Sequence, residues 1–177
     1  GDVLVFVDDD VVLPSRDLLA DVARRFDEHP RLGMLQPRVA DPKGRPAPRR
    51  WVPRFRKSEP GRPSTAFYVW EGMVAVRRDV FDRAGRWPRC FFYAHEGIEL
   101  AWRVWDQAAV VWYAGDLLVH HPARDQARRH PYHYRFNARN RVWLARRNLP
   151  WLLREHRHVA RREPAPGGGR GVPRRSR

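Results

Sequence analysis

Three consecutive carboxylates, Asp8, Asp9 and Asp10, directly follow the apolar run Val3–Val7. Acidic side chains at the carboxyl end of a buried strand lie where open α/β sheets bind ligands. Adjacent carboxylates repel one another unless a cation or water neutralises them, and Mg²⁺ or Mn²⁺ is commonly held by one or two carboxylates plus substrate phosphates. Asp8 and Asp10 share one side of an extended chain, so they are the predicted ligands of such a cation. The alternative is a solvated turn that precedes a helix.

A second candidate group lies in the run FFYAHEGIEL of residues 91–100. Glu96 stands there at the start of a predicted helix, where the helix N-terminus favours its ionised form while apolar neighbours raise its pKa. When ionised, Glu96 could accept a proton from a hydroxyl group. The alternative is a first-turn Glu that only complements the helix dipole. His120 and His121 end a later predicted strand.

The elements that must position these residues follow an α/β pattern. Val3–Val7 predicts a strand buried on both faces, and a helix with Ser15 as its N-cap is expected to stop before Pro30. The remaining predicted elements are a strand at 32–39, a proline-rich loop at 37–63, strand-like segments at 67–76, 109–114 and 117–119, a short helix that Asp79 caps and Gly85 closes, and helices at 96–106 and 132–148. A strand, a helix and a strand in succession indicate a layered α/β architecture.

Composition excludes several classes of protein. The 177 residues carry a net charge of +15, and 12% of them are aromatic, which is too many for a disordered chain. The single cysteine, Cys90, excludes an internal disulfide framework and a cysteine-rich zinc site. No apolar run approaches the roughly 20 residues of a membrane-spanning helix. The charge predicts attraction to polyanions at low salt, but no nucleic-acid-binding motif is present, so no specific nucleic acid is expected as a partner.

Taken together, the motifs resemble glycosyltransferase family 2, the inverting enzymes with the GT-A fold. The family's Asp-x-Asp motif at a strand end is matched by VFVDDDVVLP, its small-residue segment by WEGMVAVRRDVFDRAG, and its strand ending in His by LLVHH. Its Glu-Asp-x-Asp-Leu-x-x-Arg helix start is matched by EGIELAWR at 96–103. The resemblance covers residues 1–150 and implies an incomplete GT-A domain, a nucleotide-diphospho-sugar transferase-like mixed sheet with flanking helices. It also implies that the half holding the nucleotide base and ribose lies before Gly1.

The resemblance implies a metal-assisted transfer of sugar from a nucleotide-diphosphate donor to a hydroxyl of a saccharide or lipid-linked acceptor, with inversion. Mg²⁺ or Mn²⁺ would bind Asp10, with Asp8 on the same ion or on the donor ribose. His120 or His121 would be a further contact of the metal or the diphosphate, or else an ordinary strand-end histidine. The family's usual base is an Asp at the position of Gly97, so Glu96 is the predicted base here, with His95 as the alternative. The remaining predicted substrate contacts are Asp9, Trp70, Glu71, His95, Glu99 and His121. Of these, Trp70 and Glu71 are expected to line the acceptor pocket, with a place in the core as the alternative for Trp70. Glu99 is alternatively a structural acid.

Two alternatives without catalysis remain open, a basic module that binds nucleic acid and one that binds a membrane surface. The membrane alternative rests on four apolar or aromatic residues flanked by arginines, namely Trp143, Leu144, Trp151 and Leu152 beside Arg139, Arg141, Arg146, Arg147 and Arg154. Residues 151–177 form a basic, Pro/Gly/Arg-rich segment that is predicted to be disordered. The expected location is the cytoplasm, at the inner face of the plasma membrane, in bacterial envelope polysaccharide synthesis.

Overall fold

The computed structural model describes residues 1–54, 57–123 and 131–150 of the chain. Their centre is a mixed five-stranded sheet with the order β1-β4-β2-β5-β3. Its strands are β1 (Val3–Val7), β2 (Leu32–Ala40), β3 (Ser64–Thr65), β4 (Met73–Arg77) and β5 (Val110–His120). The helices are α1 (Leu18–Glu28), α2 (Arg78–Arg83), α3 (Glu96–Asp106) and α4 (Pro131–Asn148), and a short 3-10 turn covers Arg49–Trp51.

Strand direction determines which chain segments meet at the site. β2 and β5 are parallel, whereas β4 runs antiparallel to both β1 and β2. The carboxyl ends of β1, β2 and β5 therefore lie at one edge of the sheet, together with the amino end of β4. This edge, which we call the carboxyl edge, receives the loops that follow Val7, Ala40 and His120.

Two apolar layers cover the sheet. Alternation along β4 sends Val74 and Val76 into the layer beneath α2 and α3, and Met73 and Ala75 into the layer beneath α1. These four of the five β4 side chains are fully buried, which makes β4 a strand buried on both faces. No described helix combines the length and apolar composition that a membrane span requires.

The prediction that Val3–Val7 forms a strand is confirmed, but the prediction that it is buried on both faces is wrong. In the described part of the chain β1 is an edge strand that pairs only with β4. Its residues Val5 and Val7 are consequently 38% and 45% exposed. The continuous valine-rich run reflects strand propensity here and not double-sided burial.

Two predicted helix starts are also wrong. The N-cap of α1 is Asp17, and Ser15 instead accepts a hydrogen bond from the Asp17 N–H at 3.2 Å within the preceding turn. In α2 the N-cap is Arg77, so Asp79 lies in the first turn. The left-handed conformation predicted for Gly85 is confirmed, with φ at 81°.

The other predicted elements are present with changed bounds. The strand-like segment predicted at 67–76 is a strand only over Met73–Arg77, since residues 66–72 contain no strand, and the short strand β3 was not predicted. The proline-rich loop predicted to start at 37 begins after Ala40, where β2 ends. The two strand segments at 109–119 are one strand, β5, whose pairing with β2 shifts register between Pro37 and Arg38. Residues 115–117 have no β2 partner at this shift, and β5 continues across them. The helices at 96–106 and 132–148 are confirmed as α3 and α4. The predicted tail at 151–177 lies outside the described residues.

Candidate active site

The carboxyl edge brings together two of the predicted carboxylates and one predicted histidine. The backbones of Val12 and His120 pair through two hydrogen bonds of 2.8 and 2.9 Å, which join the segment after β1 to the end of β5. Asp10 Oδ1 lies 2.9 Å from His121 Nε2 as a result. One ligand atom each of Asp8, Asp10 and His121 lies within 4.8 Å of the other two.

The orientation of His121 suits a metal ligand. Its Nδ1 lies 2.8 Å from the carbonyl oxygen of Pro122, and since a carbonyl only accepts, Nδ1 carries the proton of that hydrogen bond. Nε2 is then left to face the carboxylates. Metal-binding histidines commonly donate their other ring N–H to a backbone carbonyl in this way. Two carboxylates and an imidazole nitrogen form a donor set that fits a divalent cation such as Mn²⁺.

Two tryptophans hold the His121 ring. Trp51 and Trp70 each meet the imidazole edge to face, with ring centroids 5.4 and 4.8 Å from it, and they lie 4.9 Å from each other. The buried Gln36 connects the two tryptophans. Its Nε2 donates to the backbone carbonyl oxygen of Trp51 at 2.8 Å, and its Oε1 accepts from the backbone N–H of Trp70 at 2.7 Å. Trp70 is a predicted acceptor contact, and the structure places it beside His121.

Sequence reasoning missed Trp51 and Gln36. Trp51 lies in the proline-rich loop, where no periodicity marks an inward-facing side chain. Gln36 did carry a signal, since it is a polar residue in the middle of an apolar strand and is fully buried. A buried carboxamide needs hydrogen-bond partners, so its presence indicates that loops come to that point of the sheet.

Glu96 and Glu71 form a second acidic pair next to the first group. Glu71 Oε1 accepts a hydrogen bond of 2.6 Å from the Gly97 N–H at the start of α3. Burial raises the pKa of Glu71 to about 7, and the negative charges of Glu96 and Asp8 add to this rise. Burial also raises the pKa of Glu96, with Asp8 acting in the same direction. Buried Glu96 Oε2 has no hydrogen-bond partner among the described residues.

The structure explains why position 97 carries glycine. A Cβ built there would lie 2.6 Å from both Glu71 Oε1 and the carbonyl oxygen of Val69. The family that the sequence resembles usually carries an aspartate at this position. An aspartate does not fit here while Glu71 occupies its present place. Glu96, one residue earlier, therefore presents the acid at the start of α3.

The loop before Glu96 has an unusual backbone. Phe92, Ala94 and His95 all have positive φ, at 60°, 69° and 71°. Such conformations cost a non-glycine residue about 1–3 kcal/mol each and recur at functional sites. His95 is the N-cap of α3, and its Nε2 lies 2.6 Å from Asn137 Oδ1 of α4. Its buried Nδ1 has no partner within the described segments.

Two other predicted contacts have different surroundings. Asp9 is exposed in the turn between Asp8 and Asp10. Glu99 is fully buried, and its two oxygens accept from Arg103 Nε at 2.8 Å and Arg147 Nε at 3.0 Å. These two charge-assisted bonds offset the cost of burying a carboxylate. They support the structural role for Glu99, in which it joins α3 to α4.

A cavity of about 260 Å³ opens beside His95. It lies between α3, α4 and the segment before β4, and its walls are largely apolar, with Phe67, Tyr68 and Trp102 among them. Aromatic side chains of this kind suit the apolar face of a ring. Neither Trp70 nor Glu71, the two residues predicted to line an acceptor pocket, belongs to this cavity.

Comparison with known proteins adds a structural likeness. No protein-family model and no curated protein sequence matches the chain. The crystal structure of GalNAc-T7 with UDP, GalNAc and Mn²⁺ matches 90% of the chain with a TM-score of 0.58 and 15% identity. The mannosyltransferase PcManGT from Pyrobaculum calidifontis, in complex with GDP-Man and Mn²⁺, matches 94% with a TM-score of 0.50 and 17% identity. The chain has a GT-A fold.

This likeness concerns the fold and a part of each neighbour. The match covers 38% of the GalNAc-T7 chain and 41% of the mannosyltransferase chain, so the present chain spans about two-fifths of either length. The GT-A architecture expected from the sequence, with its mixed sheet and flanking helices, is confirmed.

Proposed function

We propose that this chain is the metal-binding and acceptor-side part of a family 2 glycosyltransferase, which moves a sugar from a nucleoside-diphosphate donor to an acceptor hydroxyl with inversion. The observation that carries the proposal is the group formed by Asp8, Asp10 and His121, whose ligand atoms lie within 4.8 Å of one another. Burial raises the pKa of the neighbouring Glu96, and the charge of Asp8 adds to this rise. An acid of raised pKa thus lies beside a donor set for a divalent cation, on a GT-A fold. Both matched neighbours are metal-containing complexes with nucleotides.

Asp8, Asp10 and His121 would hold Mg²⁺ or Mn²⁺. When bound, such a cation supplies positive charge that stabilises the departing diphosphate. Asp9, exposed in the same turn, is proposed to contact the donor. His121 is held by its Pro122 hydrogen bond and by two tryptophan rings, so little reorientation is needed for it to bind.

Glu96 is proposed as the general base. As the acceptor oxygen forms its bond to the anomeric carbon, the bond from that carbon to the diphosphate oxygen breaks, and the acceptor proton passes to Glu96. A carboxylate of raised pKa is a stronger base than an exposed one. Glu96 Oε2 has no hydrogen-bond partner among the described residues, so this oxygen is placed to receive that proton. His95 is the alternative base, through its Nδ1.

The acceptor is proposed to be a saccharide or a lipid-linked saccharide. The aromatic cavity beside His95 supports this, since a sugar ring can lie against Phe67 or Trp102 close to the start of α3. Trp70 and Glu71 remain proposed contributors to the acceptor side, with Glu71 acting through the N–H of Gly97. For Glu99 we propose the structural role, in which it joins α3 to α4. We also propose that the groups binding the nucleotide base and ribose lie outside this chain.

The test is a transfer assay on the product of the complete reading frame that encodes this chain. A panel of nucleoside-diphosphate sugars with Mn²⁺ should give transfer that EDTA abolishes. We expect Asp10→Asn to lower kcat/KM by more than about 100-fold, and Glu96→Gln to lower kcat by about 10²–10⁴-fold because general-base catalysis is lost. The anomeric coupling of the product, measured by NMR, should show inversion.

Glu28→Gln is the matched control, because Glu28 is an exposed carboxylate at the end of α1. It should leave kcat and KM unchanged. No transfer with any donor would contradict the proposed function. A larger loss in His95→Asn than in Glu96→Gln would assign the base to His95, and retention of configuration would overturn the inverting mechanism alone.

We further propose that the enzyme works at an anionic membrane surface on the cytoplasmic side. Helix α4 carries five arginines and no acidic residue. Tyr132 and Phe136 of this helix form an aromatic surface together with Phe92, which is 78% exposed. The Arg139 guanidinium lies over the Phe136 ring, 4.6 Å from its centroid. Aromatic rings next to arginines suit the interface of an anionic bilayer.

Co-sedimentation with vesicles tests the membrane proposal. Vesicles containing phosphatidylglycerol should bind the protein, and the combined substitutions Phe92→Ser and Tyr132→Ser should weaken binding at least fivefold. Leu19→Ser, which removes an exposed apolar side chain on α1, should not. Equal vesicle binding by all three proteins would contradict the proposal. So would oligonucleotide binding that persists at moderate salt when vesicle binding is lost.

A further inference from the structure

Helix α4 contacts the loop before Glu96 through one buried side chain. The Asn140 Nδ2 lies 2.9 Å from the carbonyl oxygen of Phe91 and 2.7 Å from those of Tyr93 and Ala94. Asn140 is fully buried. A single amide group thus contacts three carbonyl oxygens within four consecutive residues of one loop.

That loop needs such support. Phe92, Ala94 and His95 hold left-handed conformations that L-residues avoid. Conformations of this kind persist only where the surrounding structure overdetermines them. The carbonyls that Asn140 contacts belong to Ala94 and to residues on either side of Phe92, so its amide acts on the strained peptides themselves.

Two neighbouring residues of α4 contact the same loop. Arg139 Nη2 donates to the carbonyl oxygens of Cys90 and Phe91 at 3.1 and 2.8 Å. Asn137, one helical turn before Asn140, contacts the ring of His95. The loop is therefore attached to α4 at its beginning, its middle and its end, and α3 begins at the next residue, Glu96.

We propose that Asn140 is a positioning residue for the Glu96 carboxylate. By holding the carbonyls of residues 91, 93 and 94, its amide fixes the loop that determines where α3 begins and where Glu96 points. This inference rests on the proposed function of Glu96 as the base. Asn140 itself touches no reacting atom, and its effect passes through the loop.

The test compares two isosteric substitutions on the same helix. Asn140→Asp replaces the donor amide with an oxygen that cannot donate to three carbonyls. Asn148→Asp is the control, because Asn148 Nδ2 donates only to Leu144 within α4, at 3.1 Å. In the complete gene product we expect Asn140→Asp to lower kcat about 100-fold, as a displacement of about 1 Å in a catalytic group can do. The KM of the donor should change less than twofold, because the proposed cation ligands lie on other segments.

Hydrogen exchange supplies a readout that does not need activity. Peptides covering residues 90–99 should exchange at least tenfold faster in Asn140→Asp than in the unchanged protein or in Asn148→Asp, while peptides of β2 exchange as before. If Asn140→Asp does not fold, Asn140→Ser, which keeps one donor, should give the same pattern with a smaller change.

The outcomes separate the two proposals. Absence of transfer by the unchanged protein overturns the proposed function, whereas unchanged exchange at 90–99 overturns the role of Asn140. Faster exchange with an unaltered kcat, or a loss confined to KM, also overturns the positioning role. A fall in kcat with faster local exchange supports it.

Discussion

The missing side chain at Gly97 determines which acid stands at the start of α3. The Gly97 N–H donates to Glu71, and a Cβ would lie 2.6 Å from both the Glu71 carboxylate and the backbone oxygen of Val69. Real Cβ atoms do not approach other atoms so closely, and the Val69 carbonyl belongs to rigid backbone. Glu71 and Gly97 therefore form a matched pair, and Glu96 is the acid that remains available.

We predict that Gly97→Ala destabilises the protein although it adds a better helix former. Helix propensity favours alanine by about 1 kcal/mol. Overpacking against the Val69 carbonyl and the Glu71 carboxylate costs about 1–3 kcal/mol, so the loss exceeds the gain. Urea unfolding followed by circular dichroism should give a lower midpoint with an unchanged slope.

Gly61→Ala is the control for this substitution. A Cβ at Gly61 would meet its nearest neighbours at 3.5 and 4.0 Å, which are ordinary contact distances. Its unfolding midpoint should not fall as that of Gly97→Ala does. If Gly97→Ala is as stable as the control, Glu71 or Val69 moves easily, and steric exclusion is not the reason for glycine at this position.

A second prediction at the residue scale concerns pH. Burial raises the pKa of Glu71 from 4.5 to about 7, so between these values the folded protein binds more protons at this site than the unfolded chain does. The free energy of unfolding therefore falls as pH rises through that window, and the stabilisation by neutral Glu71 is fully present only below pH 4.5. The loss at this site amounts to at most about 3 kcal/mol.

Glu71→Gln should remove this part of the pH dependence, because the amide keeps an acceptor for the Gly97 N–H but does not ionise. Relative to the unchanged chain, the variant should gain stability steadily from pH 4.5 to 7, as measured by urea unfolding in EDTA. Glu59→Gln, at an exposed loop position, should leave the dependence unaltered. A constant difference between Glu71→Gln and the unchanged chain across this window would show that folding does not raise the pKa of Glu71.

Residues next to an element boundary could be predicted from the sequence, and residues that act through distant partners could not. Asp8, Asp10 and Glu96 were found because a strand end and a helix start lie beside them in the chain. Gln36, Trp51 and Asn140 were missed, because their partners lie 15 to 49 positions away and only the folded chain reveals them. The proposed site roles themselves remain predictions.

At the scale of elements, hydrophobic periodicity predicted the helices better than it predicted their first residues. α3 has the predicted extent, and its apolar face is buried through Leu100, Ala101 and Val104. The basic, aromatic helix α4 starts one residue before its predicted first residue and ends at the predicted one. The starts of α1 and α2 depend instead on a single turn of backbone, in which Asp17 and Arg77 hold the capping positions predicted for Ser15 and Asp79. Helix starts are decided by local hydrogen bonds that periodicity does not report.

At the scale of the whole molecule, the sequence predicted an α/β class but not the order of strands. β4 lies between β1 and β2, although 32 residues separate β2 from β4 in the chain. The position of the antiparallel strand β4 between β1 and β2 makes the sheet mixed. It also brings Glu71, which lies just before β4, to the carboxyl edge. The likeness of fold at 15–17% identity with the two matched structures indicates that this fold tolerates extensive change in sequence.

The outer edge of β1 has a consequence for work with the chain in solution. Along this edge the 177-residue chain presents backbone N–H and C=O groups that no described strand pairs with, next to the half-exposed valines at positions 5 and 7. An unpaired, apolar strand edge is a template for a strand from another molecule. We therefore expect purified copies of the chain to associate edge to edge as their concentration rises, so dilute stocks should limit this association.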